Sequence, residues 1–147
     1  MNNNNTLIND VLLNQLILDF NSTLLTLALN IAHVCPKSLI GTNIKTIERS
    51  IKNANNFTKF IDLFCIKVLK YKSQIDVGDE SFFMNKTYDN DINGVVDITK
   101  QHLDQVITLK SVWFELKQEN KEIVISYMQI LCALSQEYFN IISTNSS

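Results

Sequence analysis

Residues 7–36, LINDVLLNQLILDFNSTLLTLALNIAHVCP, decide the fold. Leucine, isoleucine and valine crowd this stretch, and the polar residues Asp19, Ser22, Thr26, Asn30 and His33 step along it by three or four. That spacing gathers them on one side of a helix and leaves the rest of its circumference apolar. The pattern predicts a long first helix, capped at Thr6 and buried on most of its surface at the centre of a bundle. Pro36 ends it, because proline lacks a backbone donor and drives Cys35 away from helical geometry. Phe20 to Pro36 carries no charge, which invites a membrane reading. Asn21, Ser22, Thr23, Thr26, Asn30 and His33 interrupt that run, however, and a spanning helix needs about 20 mostly apolar residues. No membrane insertion is expected.

Outward from Pro36 the helical rhythm returns four more times. Ile40, Ile44, Ile47 and Ile51 predict a second helix capped at Ser38, with Gly41 weakening its first turn. A third places Phe57, Phe60, Ile61, Phe64, Val68 and Tyr71 on one face and Lys59, Asp62, Lys67 and Lys70 on the rest. The fourth starts near Asn93 or Gly94 and carries His102, Val106, Leu109, Trp113 and Leu116. The fifth starts near Asn120 and carries Val124, Tyr127, Leu131, Leu134, Tyr138 and Ile141. With only QENK between them, the last two read as a C-terminal helical hairpin. The expected fold class is all-α: a single-domain bundle of about five helices over residues 1–147. Residues 1–6 and 143–147 are expected as disordered tails, and 74–93 as an inter-helix loop.

Composition agrees with one core. The chain has 147 residues, 46% of them hydrophobic, and a domain of this size buries about two thirds of its unfolded surface. Cys35, Cys65 and Cys132 are an odd number set apart in apolar surroundings, which predicts reduced, buried thiols and a cytoplasmic location. The amino terminus, MNNNNTLIND, shows no basic region ahead of an apolar one, so no export is expected and the N-x-S/T matches carry no glycan meaning. Eighteen Asn, eighteen Ile and twelve Lys stand against one Arg, one Pro and four Ala. That bias marks AT-rich coding and warns against reading chemistry into asparagine clusters.

Charge is segregated. Residues 36–73 carry a balance of +6 and residues 74–147 a balance of −6. Either the two blocks attract each other or face water, or Lys45, Lys52, Lys59, Lys67, Lys70 and Lys72 present a face for sequence-independent binding of nucleic-acid phosphates. The near absence of arginine and of any recognition motif makes the second an alternative only.

The stretch IDVGDESFFMNKTYDNDIN, residues 75–93, is acidic, turn-rich and aperiodic. Phe82, Phe83 and Met84 interrupt its polar residues, and a short loop cannot turn all three inward. They read either as a plug for the end of the bundle or as a partner-binding knob flanked by Asp76, Asp79 and Glu80. DNDINGVVDITK, residues 89–100, resembles an EF-hand calcium loop at Asp89, Asp91, Asn93, Gly94 and Asp97. Lys100 stands where the family's final bidentate glutamate belongs, so the default is a turn that caps the following helix, and neither metal nor cofactor is expected. Catalytic groups are sparse: His33 and Cys35 lie two apart on a helix and share no face, and Gly41, Gly78 and Gly94 stand alone. The chain does not read as an enzyme.

FIDLFCIKVLKYKSQIDVGDESFFMNK (60–86) and VWFELKQENKEIVISYMQILCALS (112–135) resemble a family of short, all-helical, mostly uncharacterised proteins of large nucleocytoplasmic DNA viruses. The resemblance covers about half the chain and carries no catalytic motif. It implies a virion-associated or infected-cell cytoplasmic protein that acts through contacts with protein partners, itself among them.

Overall fold

The computed structural model describes residues 3–85, 98–107 and 110–145. All regular structure among them is helical, and five helices have seven residues or more. These are α1 (Asn3–Val34), α2 (Leu39–Lys52), α3 (Lys59–Lys67), α6 (Ile98–Ile107) and α8 (Gln118–Asn145), with the short α4 (Lys72–Asp76), α5 (Glu80–Asn85) and α7 (Lys110–Trp113) between them. The all-α bundle of about five helices is therefore what forms.

The first helix is as long as its sequence suggests, yet it begins before Thr6 and covers part of the expected amino-terminal tail. Its burial is one-sided. Leu16, Ile17, Phe20, Leu24, Leu27, Ala28 and Ile31 face the core, whereas no side chain from Leu7 to Gln15 is buried. A helix of 32 residues spans about 48 Å, and its burial begins only at Leu16. From Leu7 to Gln15 only Asn9 and Leu13 are half-buried, Leu13 against the core, so the expectation of a helix buried on most of its surface fails there. The polar stripe does face outward, with Asp19, Ser22, Thr26 and His33 exposed.

At the Pro36 turn, the Ser38 hydroxyl donates to the Cys35 carbonyl at 2.6 Å and accepts from the Gly41 amide at 3.1 Å, capping α2. Gly41 is required rather than merely tolerated. A Cβ there would stand 2.3 Å from the Pro36 carbonyl oxygen, so only glycine lets α2 start this close to the end of α1. Ile40, Ile47 and Ile51 then point into the core.

The expected third helix is broken into pieces. A 3-10 turn at Ala54–Asn56, α3, a second 3-10 turn at Leu69–Tyr71 and α4 follow one another almost without pause. Phe60, Ile61, Phe64, Lys67, Val68 and Ile75 all turn inward across these pieces, within the one sector of about 120° that a continuous helix would also give them. The helices before and after residues 114–117 find their main partners elsewhere: α6 packs on α2 and α3, α7 on α5, and α8 on α1. Their hairpin is one of connection, because the 28-residue apolar face of α8 is matched in length by α1 and not by α6.

Much of the expected 74–93 loop is ordered. Gly78, at φ +68, terminates α4, with its amide donating to the Ile75 carbonyl at 3.0 Å and the Asp79 amide donating to the Gln74 carbonyl at 3.1 Å. This is the Schellman pattern, whose left-handed residue favours glycine. Asp79 next caps α5, accepting from the Ser81 amide at 3.0 Å and the Ser81 hydroxyl at 2.6 Å. Gln129 of α8 donates to the Ile75 and Asp76 carbonyls at 3.1 Å, tying this corner to the bundle. At the other end, α8 runs on to Asn145, through residues expected in a tail.

Candidate interaction site

The proposed knob turns inward. Phe82 and Phe83 are buried, so the plug reading describes them and the partner-binding one does not. Phe83 stacks on Trp113 with ring centroids 5.0 Å apart, Phe82 meets Phe83 edge-on at 5.1 Å, and Tyr71 lies 5.4 Å from Phe82. The Trp113 indole donates to Glu80 at 3.1 Å, and Lys121 reaches the same carboxylate at 3.2 Å. Hydrogen bonds from Lys121 first and Trp113 second hold the Glu80 carboxyl below its usual range. Asp76 pairs with Lys72 inside α4. Asp76, Asp79 and Glu80 are thus occupied with local structure; the Met84 side chain lies outside the described residues. The inward turn follows from α5 itself, since a helical turn presents Phe82 and Phe83 on adjoining positions that two neighbouring apolar walls can cover.

The lysine face does not assemble. Lys67 is 4% exposed and its ammonium lies 3.1 Å from Asp104 of α6, so it ties two helices together within the fold. Lys100, likewise buried, stands 3.5 Å from the same carboxylate. Lys52 pairs with Glu48 at 3.3 Å, and Lys72 pairs with Asp76. Lys45, Lys59 and Lys70 are exposed, on three separate elements or turns. The inter-block attraction anticipated from the charge pattern is realised in the Lys67–Asp104 pair. The calcium candidates Asp89, Asp91, Asn93 and Asp97 lie outside the described residues. Among the described ones, no group of three or more His, Cys, Asp or Glu is placed to hold a metal ion.

The three cysteine thiols are held in their protonated form. Burial pushes the Cys65 and Cys132 thiols up to about 12 and raises Cys35 as well, which disfavours the thiolate. The Cys65 thiol donates to the Ser135 carbonyl at 3.5 Å and the Tyr138 hydroxyl donates to Asp62 at 2.6 Å, both joining α3 to α8. His102 is buried, and desolvation lowers its pKa below the ordinary 6.5. The neutral ring is the form that the fold accepts. Its contribution is whole above the unfolded value and is lost as pH falls through the lower folded value. The melting temperature is therefore expected to drop between pH 7 and pH 5.5, and to drop less in His102→Gln. Equal drops in parent and variant would contradict this assignment.

What remains exposed and apolar is concentrated on α1. Leu7, Ile8 and Val11 are 62–69% exposed, Leu18 is 50% and Leu29 is 42%. Ile123, Ile130 and Phe139 of α8 are 41–47% exposed, and Leu39, Ile66, Val77 and Phe114 are exposed on separate elements or turns. Beside Leu18 and Leu25 runs a groove of about 220 Å³, closed on its far side by Ile51, Ala54 and Phe57. Sequence reasoning missed this surface by counting the α1 leucines as core. The available signal was the pairing of Leu18 and Leu29 with positions on the polar side of the wheel. By length and composition, Leu7–Val34 is able to cross a membrane, and 39% of its most apolar window is buried inside the bundle.

Comparison with protein-family models, with curated proteins and with solved structures finds no match to this chain. The fold places it among all-α helical bundles.

Proposed function

We propose that this chain is a non-enzymatic interaction or assembly module, and that it works through the exposed ridge of α1. The exposed side chains of Leu7, Ile8 and Val11 carry the reading. A water-exposed stretch of helix is marginal by itself, and contiguous apolar side chains on its surface mark a place where another molecule packs. The raised thiols, the inward Phe82–Phe83 pair and the internally paired lysines favour contact over chemistry. The resemblance to proteins of large nucleocytoplasmic DNA viruses supplies a setting, a virion-associated or infected-cell cytoplasmic role, without bearing on the residues.

Gel filtration of extract from cells expressing the chain at native level tests the reading. The parent is expected in a complex larger than its monomer, and Leu7→Ser with Val11→Ser is expected to return it to monomer size while leaving helicity intact. A parent that elutes as a monomer in extract would end the proposal.

A further inference from the structure

The ridge has a symmetry of its own. Leu7, Val11, Leu18, Leu25 and Leu29 are separated by four, seven, seven and four residues. At 3.6 residues per turn, all five fall within a sector of about 40°. Reversed end for end about Leu18, the set maps onto itself: Leu7 takes the place of Leu29 and Val11 that of Leu25. The polar positions that interrupt the ridge, Asn14 and Ser22, exchange in the same way. A surface that is its own complement under such a rotation is what a two-fold interface requires.

We propose that the α1 ridge binds a second copy of this chain in antiparallel register, with the two-fold axis passing at Leu18. This rests on the assembly reading above and names its partner. In that arrangement Leu7–Gln15 of each copy lies along the seam of the other in which Leu18 and Leu29 are exposed and Leu25 is half-buried. Each copy covers the part of α1 that its partner's own core leaves bare, and the groove beside Leu18 and Leu25 lies next to the axis. Leu7, Ile8, Val11, Leu18 and Leu29, exposed by the percentages above, with the half-buried Leu25, offer on the order of 600 Å² per copy, the lower edge of what a specific interface takes from each partner.

Charge favours this occupant over a membrane and over the parallel alternative. Between Asn3 and Val34 there is no Lys or Arg, the residues that draw an amphipathic helix to anionic lipid, while Asp10 and Asp19 repel it. Antiparallel register sets Asp10 level with Thr26 and Asp19 level with Ile17 of the second copy. A parallel pair would set each acid level with its own equivalent.

Sedimentation of the purified chain from about 1 to 100 μM is expected to show a monomer–dimer equilibrium, and Leu18→Lys to weaken it by about 100-fold or more by placing two ammonium groups together at the axis. Circular dichroism and melting of that variant in dilute solution are expected to match the parent, which separates lost association from lost folding. Orientation is read by cysteine cross-linking. Leu7→Cys mixed with Leu29→Cys is expected to give a disulfide-linked dimer under mild oxidation, with little from either variant alone. Efficient linking of Leu7→Cys to itself would show a parallel pair and overturn the proposal. So would a purified chain that stays monomeric throughout, whether or not it floats with vesicles of anionic lipid. If the parent nevertheless runs in a larger complex in cell extract, the assembly reading stands and its partner is another protein.

Discussion

Trp113→Ala is expected to lower stability by about 3–5 kcal/mol, the usual cost of removing a large buried aromatic side chain. Three things are lost together. The indole is fully buried, it stacks on Phe83 at 5.0 Å, and its N–H bonds Glu80 at 3.1 Å. With Trp113 gone, α5 loses the wall against which Phe83 packs, and Lys121 keeps only part of its anchorage. For a chain of this size the melting temperature should fall by on the order of 10 °C or more. Trp113→Phe keeps the stack and drops the hydrogen bond, so it is expected to cost about 1 kcal/mol from that bond plus a smaller cavity term. A Trp113→Ala protein melting within two or three degrees of the parent would show that the aromatic plug does not hold the 72–85 segment down.

Asp104→Ala should be comparably harmful, for an electrostatic reason. Lys67 and Lys100 are both nearly inaccessible and share that carboxylate, so the variant takes a counter-charge from two buried ammonium ions at once. Breaking one side of a buried pair costs about 3–5 kcal/mol, whereas replacing both sides with apolar groups is often neutral. The double variant Asp104→Leu with Lys67→Met still takes the carboxylate from Lys100 but no longer strands Lys67, so it is expected to be more stable than Asp104→Ala and less stable than the parent. Glu48→Ala removes the carboxylate of an exposed pair and should change stability by about half a kcal/mol or less. Urea unfolding of the three variants orders them; a double variant weaker than Asp104→Ala would overturn the account of the pair.

These two sites show how far the sequence reaches. Helical spacing located α1, α2 and α8 because each buries a regular stripe, and Pro36 and Ser38 marked their junction by backbone chemistry that acts locally. The 57–71 region was legible as helical but not as broken, since the change of pitch near Val68 leaves its apolar residues on the face that a continuous helix would give them. Residues 74–85 looked like a loop because each helix there is barely one or two turns long, too short for periodicity to register. Gly78 followed by Asp79 was the local signal, a left-handed stop and then a cap. Lys67 could not be separated from Lys59 or Lys70 by spacing alone. Its burial depends on Asp104, 37 residues away. The α1 ridge escaped notice for the opposite reason: leucine on a water-facing side reads the same, letter by letter, as leucine in a core.

Hydrogen exchange of the purified chain at low and high concentration tests the central claim most directly, because it reports on α1 and the 74–85 segment in one experiment. The account predicts fast exchange at Leu7–Gln15 in dilute protein, protection of those amides as concentration rises, and protection of Ile75 and the Phe82–Phe83 turn at both. Amides of residues 7–15 equally protected at every concentration, with residues 75–83 exchanging at loop rates, would contradict it.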